Sequence, residues 1–155
     1  MKQYIGTKLI EAEPAYRCTD GQGHIVITDD PSEAFPNFPG VEDGYRVRYP
    51  DGYVSWSPKA VFEEAYRPTT RMSFGLAIEA AKKGHRISRA GWNGKGQYVE
   101  LATGISYART GGEIVNAEHD AIGNRALAFV GTSGVQMGWL ASQADMLADD
   151  WAILR

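Results

Sequence analysis

The sequence predicts an α+β fold in which small antiparallel β-sheets are combined with short helices. Two strand patterns joined by Asp51-Gly52, and two more joined by residues 132–134, are typical of antiparallel hairpins. The helical patterns are short, and turn residues interrupt the apolar runs throughout the first third of the chain. A chain of 155 residues, 43% hydrophobic and 23% charged, is typical of a globular protein with one ordinary domain or two small ones.

The first 70 residues predict strands followed by one helix. Strand patterns cover residues 23–28 and 44–56, and in the second pattern apolar and charged side chains alternate around the Asp51-Gly52 turn. Ser57 is a suitable N-cap, and Pro58 suits the first helical position, where its missing N–H is not needed. We expect this helix to end at Pro68 and to have one apolar face, formed by Val61, Phe62 and Ala65.

Residues 67–71 resemble a linker, and we expect a boundary between an N-terminal module, 1–70, and a second domain, 71–155. The second domain begins with a helix that Ser73 can cap, that extends through Lys83 and that Gly84 closes. A short helix follows Ser142, which forms a capping-box-like pair with Asp145. The strand patterns of this domain cover residues 85–89, 97–102, 113–117, 126–131, 135–140 and 151–154, the last of which we expect to pair back into the sheet.

Charge is unevenly distributed along the chain. The net charge is −3, but residues 71–98 contain six basic residues and one acidic residue, between two acidic segments. This pattern favours a compact anionic ligand over a long nucleic acid, although Lys82 and Lys83 also suit a solvated helix face. No apolar run approaches the ~20 residues that span a bilayer, and no secretion signal is evident. A single cysteine, Cys18, excludes an internal disulfide and favours a reducing cytoplasm.

No pattern for catalysis or metal binding is evident. His24, His85 and His119 lie in separate segments without the spacing of metal ligands. His119-Asp120 could act as an acid/base pair, but adjacent residues on a strand point to opposite faces. Asp149-Asp150 could bind a cation, although a solvated helix end is the plainer interpretation. We therefore expect a protein that is not an enzyme and has neither cofactor nor metal.

The stretch RAGWNGKGQYVEL, residues 89–101, places Trp92 on a glycine-rich turn. An exposed indole there could stack on a purine, Asn93 could read a base or ribose edge, and Arg89 and Lys95 could neutralise phosphates. Alternatively, Trp92 folds back as a hydrophobic plug while the glycines only shape the hairpin. Spacing alone leaves both interpretations open.

The stretch WLASQADM, residues 139–146, is a second candidate for ligand binding. Ser142, Gln143 and Asp145 lie at a predicted helix start, where backbone N–H groups are free. Because Asp145 would repel a phosphate, its expected partner is a hydroxyl, an amine or an N–H group of its own helix. The alternative interpretation of the motif is a simple N-cap.

Two motifs together resemble a small phage-borne family that includes the second type of Thoeris anti-defence protein. They are MSFGLAIEAAKKGHRISRAGWNGKGQYVEL and GWLASQADMLADDW, which extend the similarity from Met72 to Trp151. Separately, MKQYIGTK and DGYVSWSPKAVFEEAYRP resemble a module found at the N-terminus of many phage proteins.

The resemblance implies a molecular sponge in the cytoplasm of an infected bacterium. Proteins of this family bind cyclic ADP-ribose-type immune signals without cleaving them, and assemble as homodimers or homotetramers with the pocket between subunits. By analogy the pocket residues would be Phe74, Trp92, Asn93, Ser142, Gln143 and Asp145, and charge adds Arg89 and Lys95.

Three further possibilities remain open from the sequence. Residues 108–135 are variable in the family, and Arg109 and Arg125 could form a second pocket for cyclic di- or trinucleotides, although a structural insertion is the plainer interpretation. The aromatic N-terminal module suits a virion-associated or protein-interaction protein. A nucleotide-cleaving enzyme is the third possibility, and it would depend on His119 or Asp120.

Overall fold

The computed structural model describes residues 1–20, 22–30, 40–116 and 125–154. The chain divides into two compact units, Met1–Arg67 and Pro68–Arg155. Both units consist mainly of antiparallel strands with a few short helices, in agreement with the predicted α+β class. Within the described ranges, none of the helices has the length and apolar character needed to cross a membrane.

The N-terminal unit contains a four-stranded antiparallel sheet in the order β2-β1-β3-β4. The predicted strands 23–28 and 44–56 are confirmed, but β1 was not predicted. Pro14 lies within β1 opposite Tyr45 of β3, whereas the pairing of β1 with β2 begins only at Tyr16. Pro14 therefore occupies a position where one side of the strand is unpaired, which is where a sheet tolerates proline. The strand bounds are β1 Glu11–Thr19, β2 Ile25–Thr28, β3 Glu42–Arg48 and β4 Val54–Pro58.

The predicted turn at Asp51-Gly52 joins β3 to β4. The Tyr49 amide donates to the Tyr53 carbonyl at 2.9 Å, and the Gly52 amide donates to the Tyr49 carbonyl at 2.9 Å. The Asp51 side chain accepts from the Tyr53 amide at 3.1 Å, and Gly52 has a φ of +85°, which glycine adopts without strain.

Helix α1, Lys59–Ala65, follows β4 directly. The prediction that Ser57 caps this helix is wrong, because Ser57 and Pro58 are still paired with β3 and Pro58 occupies the N-cap position. The predicted apolar face is only partly confirmed. Phe62 stacks on Tyr45 of β3 with ring centroids 4.1 Å apart, whereas Val61 is exposed.

Gly44 allows the Trp56 side chain to lie close against the backbone of β3. A Cβ at Gly44 would overlap both the Trp56 indole and the Ser57 carbonyl. The Arg17 guanidinium lies over the same indole, 4.3 Å from the ring centroid, and also pairs with Glu42. The packing of the sheet at this point therefore depends on the missing side chain of Gly44, on the Trp56 ring and on the Arg17 cation above that ring.

The C-terminal unit contains a five-stranded antiparallel sheet in the order β10-β9-β6-β5-β11, and a two-stranded sheet of β7 and β8. Each predicted strand is present, including the last one, which returns to pair with β5, but the strand predicted for residues 135–140 ends at Met137. Strand β7, which pairs with β8, was not predicted. The bounds are β5 Ile87–Arg89, β6 Tyr98–Thr103, β7 Ser106–Ala108, β8 Ile114–Asn116, β9 Arg125–Gly131, β10 Gly134–Met137 and β11 Trp151–Ile153.

Helix α2, Phe74–Lys82, covers this sheet with its small residues. As predicted, it begins after Ser73 and is closed by Gly84, which has a φ of +89°, although the Ser73 side chain makes no capping hydrogen bond. Small alanines let the helix approach the sheet closely, and the space is filled by a buried indole from β11. The buried core comprises Met72, Ala77, Ala80, Ala81, Ile87, Val99 and Trp151.

We expect Gly44→Ala to destabilise the N-terminal unit by about 1–3 kcal/mol, because the added methyl group forces the sheet apart or displaces Trp56. Amide hydrogen exchange should accelerate in β1 and β3 and stay unchanged in β6. Gly6→Ala is the matched control, because a Cβ at Gly6 meets no atom within 4 Å. Unchanged exchange in β3 of the Gly44 variant would contradict this account.

Candidate functional site

The buried carboxylate of Asp145 lies at the centre of the candidate site. Its Oδ1 accepts from Arg89 Nη1 at 2.9 Å and from Trp92 Nε1 at 3.1 Å. Its Oδ2 accepts from the Ser142 amide at 3.0 Å and from Ser142 Oγ at 2.7 Å. The Ser142 side chain in turn accepts from the Asp145 amide at 3.1 Å, which completes the predicted capping box of α3, Gln143–Met146.

Arg89, at the end of β5, is held between two carboxylates. Its Nε donates to Asp150 Oδ1 at 2.8 Å, in addition to its ion pair with Asp145. Only 17% of the Arg89 side chain is exposed, so water screens these pairs weakly. Asp150 Oδ2 also accepts from the Gly91 amide at 2.9 Å and so fixes the start of the turn.

The ring of Trp92 packs among aromatic side chains of its own chain. Its centroid lies 5.4 Å from Phe129, 5.9 Å from Trp139 and 5.3 Å from Trp151, each in an edge-to-face arrangement. The Phe74 ring of α2 packs next to the Trp151 ring, with centroids 5.5 Å apart. Trp92 is only partly buried. These ring contacts are the ones that the plug interpretation predicts, and Trp92 packs against the hydrophobic core of the unit.

The hydrogen bonds of this cluster stabilise its charged groups. Burial acts to raise the pKa of Asp145, but hydrogen bonds from Ser142, Arg89 and Trp92 outweigh it and lower the pKa to about 2. The hydrogen bond from Arg89 likewise lowers the pKa of Asp150. The two carboxylates, Asp150 first, raise the pKa of Arg89. All three groups are therefore ionised at neutral pH.

The structure brings together most of the residues that the two sequence motifs predicted. Arg89, Trp92, Ser142 and Asp145 are joined by hydrogen bonds, and Phe74 joins them through Trp151. Asn93 and Lys95 on the turn and Gln143 at the start of α3 belong to the same segments and are exposed.

Arg109 and Arg125, predicted for a second pocket, lie on other strands. Arg109 follows β7 and pairs with Glu113 across the β7–β8 hairpin at 3.0 Å. Arg125 begins β9 opposite Thr103 and is exposed. No hydrogen bond of the described residues joins either arginine to Asp145, so a second pocket stays a prediction.

The groups considered for catalysis or metal binding do not form a centre in the described part of the chain. His24 is exposed and bonds to Asp20 at 3.2 Å, and Asp150 is engaged by Arg89. Among residues 1–20, 22–30, 40–116 and 125–154, no group of three potential metal ligands occurs. His119 and Asp120 lie outside the described residues.

Several side chains of the site were not predicted from the sequence. Asp150 was interpreted as a solvated helix end, and Trp139, Trp151 and Phe129 were not considered as partners of Trp92. A usable signal was present, since Trp139 and Trp151 are the second and the last residues of the second motif.

Comparison with known proteins assigns the part of the chain that contains this site to a family. The model of the Thoeris anti-defense 2-like domain, Tad2-like, matches residues 72–154. The chain belongs to the Tad2-like family. It is also 37% identical over 90 residues to Thoeris anti-defense 2 of Bacillus phage SP01, covering 55% of this chain and 97% of the relative. The matched region contains the whole Asp145 cluster.

Membership of the Tad2-like family supports a role in phage anti-defence. The predicted family resemblance is confirmed, and both motifs lie within the matched residues. The family match begins after the N-terminal unit, Met1–Arg67. The anti-defence assignment therefore rests on the C-terminal unit.

We expect the stability of the C-terminal unit to fall as the pH drops from about 4 to about 2. The pKa of Asp145 is about 2 in the folded chain and near 3.8 when unfolded. Its ionisation therefore stabilises the fold fully above pH ~4, and this roughly 2 kcal/mol is lost as the pH falls through the folded value.

Urea unfolding at several pH values, followed by the near-ultraviolet circular dichroism of the tryptophans, measures this dependence. Asp145→Asn should have a flatter profile between pH 2 and 4 than the parent. Asp149→Asn, a change at an exposed neighbouring carboxylate, should keep the parental profile. Equal slopes for the parent and Asp145→Asn would contradict the assignment.

Proposed function

We propose that this protein binds and sequesters cyclic ADP-ribose-type immune signals, without cleaving them, in the cytoplasm of an infected bacterium. The observation that carries the proposal is the Trp92 turn, held by Asp145 within a Tad2-like domain. Trp92 is only partly buried, so we propose that a nucleobase stacks on the exposed portion of this residue, and exposed polar side chains accompany it on the same segments.

A cyclic ADP-ribose offers a purine, two riboses and a diphosphate. The accessible part of Trp92 supplies an aromatic surface for the purine, and such stacking is worth about 1–3 kcal/mol per base. Asn93 and Gln143 offer amides to base or ribose edges, and Lys95 offers a positive charge to phosphate. These side chains are exposed and are free to engage a ligand.

Sequestration of a scarce messenger requires tight binding, and nanomolar affinity corresponds to about −12 kcal/mol. A turn already fixed by hydrogen bonds loses little conformational entropy when a ligand binds, which favours such an affinity. A sponge does not need to stabilise a transition state, so ground-state contacts of the Trp92 turn are sufficient for the proposed activity.

The proposal includes a homodimer or homotetramer with the pocket between subunits. Exposed apolar side chains of the C-terminal unit support this part, because large apolar groups on a surface favour association. Val135 and Met137 on β10 are 62% and 47% exposed, and Leu140 and Leu147 are 88% and 78% exposed. A second copy would bury this surface and enclose a ligand at the Trp92 turn.

Calorimetry with isomers of cyclic ADP-ribose tests the function directly. We expect binding of at least one isomer, and heat denaturation of the complex should release the ligand intact, as judged by chromatography. Recovery of a linearised product would indicate a nucleotide-cleaving enzyme instead. Purified virions should lack the protein, whereas its presence in them would favour a virion-associated role.

We expect Trp92→Ala to weaken binding about 5- to 150-fold, which corresponds to the loss of one base stack. Trp56→Ala removes an indole from the N-terminal unit and is the matched control, with affinity expected within about twofold of the parent. Near-ultraviolet circular dichroism should confirm that each variant is folded. Unchanged affinity in a folded Trp92→Ala would rule out stacking on this ring.

Light scattering after size-exclusion chromatography measures the assembly. We expect a mass of two or four chains, and replacement of Val135 and Leu140 by Asp should shift it towards one chain, because charges in an apolar interface are costly. Ligand affinity should fall together with the assembly if the pocket is shared. A monomeric parent that binds tightly would contradict a pocket between subunits.

A further inference from the structure

The hydrogen-bonding capacity of the Asp145 carboxylate is fully used within the chain. An ionised carboxylate offers about four acceptor sites, and Asp145 accepts from Arg89, Trp92 and twice from Ser142, at 2.7 to 3.1 Å. A ligand could bond to this carboxylate only by displacing one of these donors. Displacement would leave a buried polar group without a partner, which is unfavourable.

These contacts join two segments that are distant in the sequence. Arg89 ends β5 and Trp92 lies on the turn that follows, whereas Asp145 lies in α3, more than 50 residues later. The Gly91 amide, held by Asp150, adds a second connection between the turn and the C-terminal segment. The position and orientation of the Trp92 ring therefore depend on a carboxylate from another part of the chain.

The charge of this cluster does not suit direct contact with a phosphate. Arg89 contributes one positive charge, and the two carboxylates on either side of it contribute two negative charges. A diphosphate approaching Arg89 would meet a group whose charge is already compensated and three of whose five N–H donors are directed at carboxylates. Lys95 is exposed and can approach an anion without disrupting the cluster.

We propose that Asp145 and Arg89 are positioning residues, which hold the Trp92 ring for the ligand and do not touch it. The residues that contact the ligand are then Trp92, Asn93, Lys95 and Gln143. Trp92 is partly exposed, and the other three are exposed. This inference rests on the proposed function for the identity of the ligand, and on the geometry of the free chain for the positioning role.

The structure provides an internal reference for this role. Trp92 Nε1 donates to the Asp145 side chain, whereas Trp151 Nε1 donates to the Asp145 backbone carbonyl at 2.9 Å. Replacement of the side chain removes the acceptor of the first indole and preserves the acceptor of the second. The two indole N–H groups thus separate loss of positioning from loss of the fold.

The first experiment is nuclear magnetic resonance of the ligand-free, uniformly ¹⁵N-labelled protein, with indole signals assigned by single Trp→Phe variants. In Asp145→Ala, we expect solvent exchange of the Trp92 indole N–H to accelerate at least ~10-fold, while the Trp151 indole keeps its parental rate. Asp145→Asn, which retains one acceptor oxygen, should accelerate it less. Asp149→Ala, at an exposed neighbouring carboxylate, should change neither indole.

Equal exchange of the Trp92 indole in the parent and in folded Asp145→Ala would overturn the positioning role. If Asp145→Ala also loses protection at Trp151, the unit has unfolded and Asp145→Asn decides. In that variant, a rise of several-fold at Trp92 with Trp151 unchanged supports the role, and no rise at Trp92 overturns it.

The second experiment measures the affinity of the same variants for the cyclic ADP-ribose isomer that the parent binds. We expect Asp145→Ala to weaken binding at least ~10-fold and Asp149→Ala to stay within about twofold of the parent. Weaker binding of an Asp145 variant with unchanged Trp92 exchange would identify Asp145 as a direct contact and overturn the inference. Parental affinity with accelerated exchange would equally overturn it.

The two experiments distinguish this inference from the proposed function. If the parent binds no isomer, the proposed function fails, and the exchange rates still decide whether Asp145 holds the Trp92 ring. If the parent binds and the exchange rates do not change, the function stands and the positioning role fails.

Discussion

The C-terminal unit depends on one buried carboxylate. Asp145 is 9% exposed, and an ionised group at that depth is stable only when its acceptors are occupied. Ser142, Arg89 and Trp92 occupy them, and each belongs to a different local element. The hydrogen bonds that stabilise the charge of Asp145 therefore also fix the glycine-rich turn. This explains why Trp92 has a defined position on that turn.

The N-terminal unit is organised by a different constraint, which is steric. Its sheet closes around Gly44, where the Trp56 indole occupies the space that a side chain would need. Ion pairs also occur across the sheet, for example between Arg46 of β3 and Glu13 of β1, and between Arg46 and Asp29 just after β2. These pairs involve exposed carboxylates and contribute little to stability. The unit has its own packing and lies outside the Tad2-like match.

Recognition of a small anionic nucleotide by an acidic protein requires a division of tasks. Groups that hold the aromatic ring must be buried and mutually satisfied, and groups that meet the ligand must be exposed and available. In the C-terminal unit Asp145 is buried and Arg89 is partly buried, and under the proposed function the exposed Asn93, Lys95 and Gln143 would meet the ligand. Such a separation fixes the Trp92 ring while the buried carboxylate of Asp145 keeps its hydrogen-bond partners in the free protein.

Local patterns in the sequence were sufficient for most of the secondary structure and for the family. Local patterns predicted three features correctly: the capping box of Ser142 and Asp145, the Gly84 helix end and the Asp51-Gly52 turn. Each of them depends on interactions between residues that are close in the sequence. Strand β1 was missed because its proline is acceptable only where the neighbouring strand is absent, and Ser57 was misassigned because its pairing with Tyr45 extends the strand.

The sequence by itself determined that Trp92 lies on a turn and that Asp145 begins a helix. Only the tertiary structure decided that these residues share a hydrogen bond, that Arg89 is compensated by Asp150, and that three other aromatic rings surround the indole. The reason is that these contacts join residues far apart in the sequence, more than 50 positions for the hydrogen bonds of Asp145 with Trp92 and of Asp150 with Arg89. Local sequence patterns do not indicate which distant groups will be in contact.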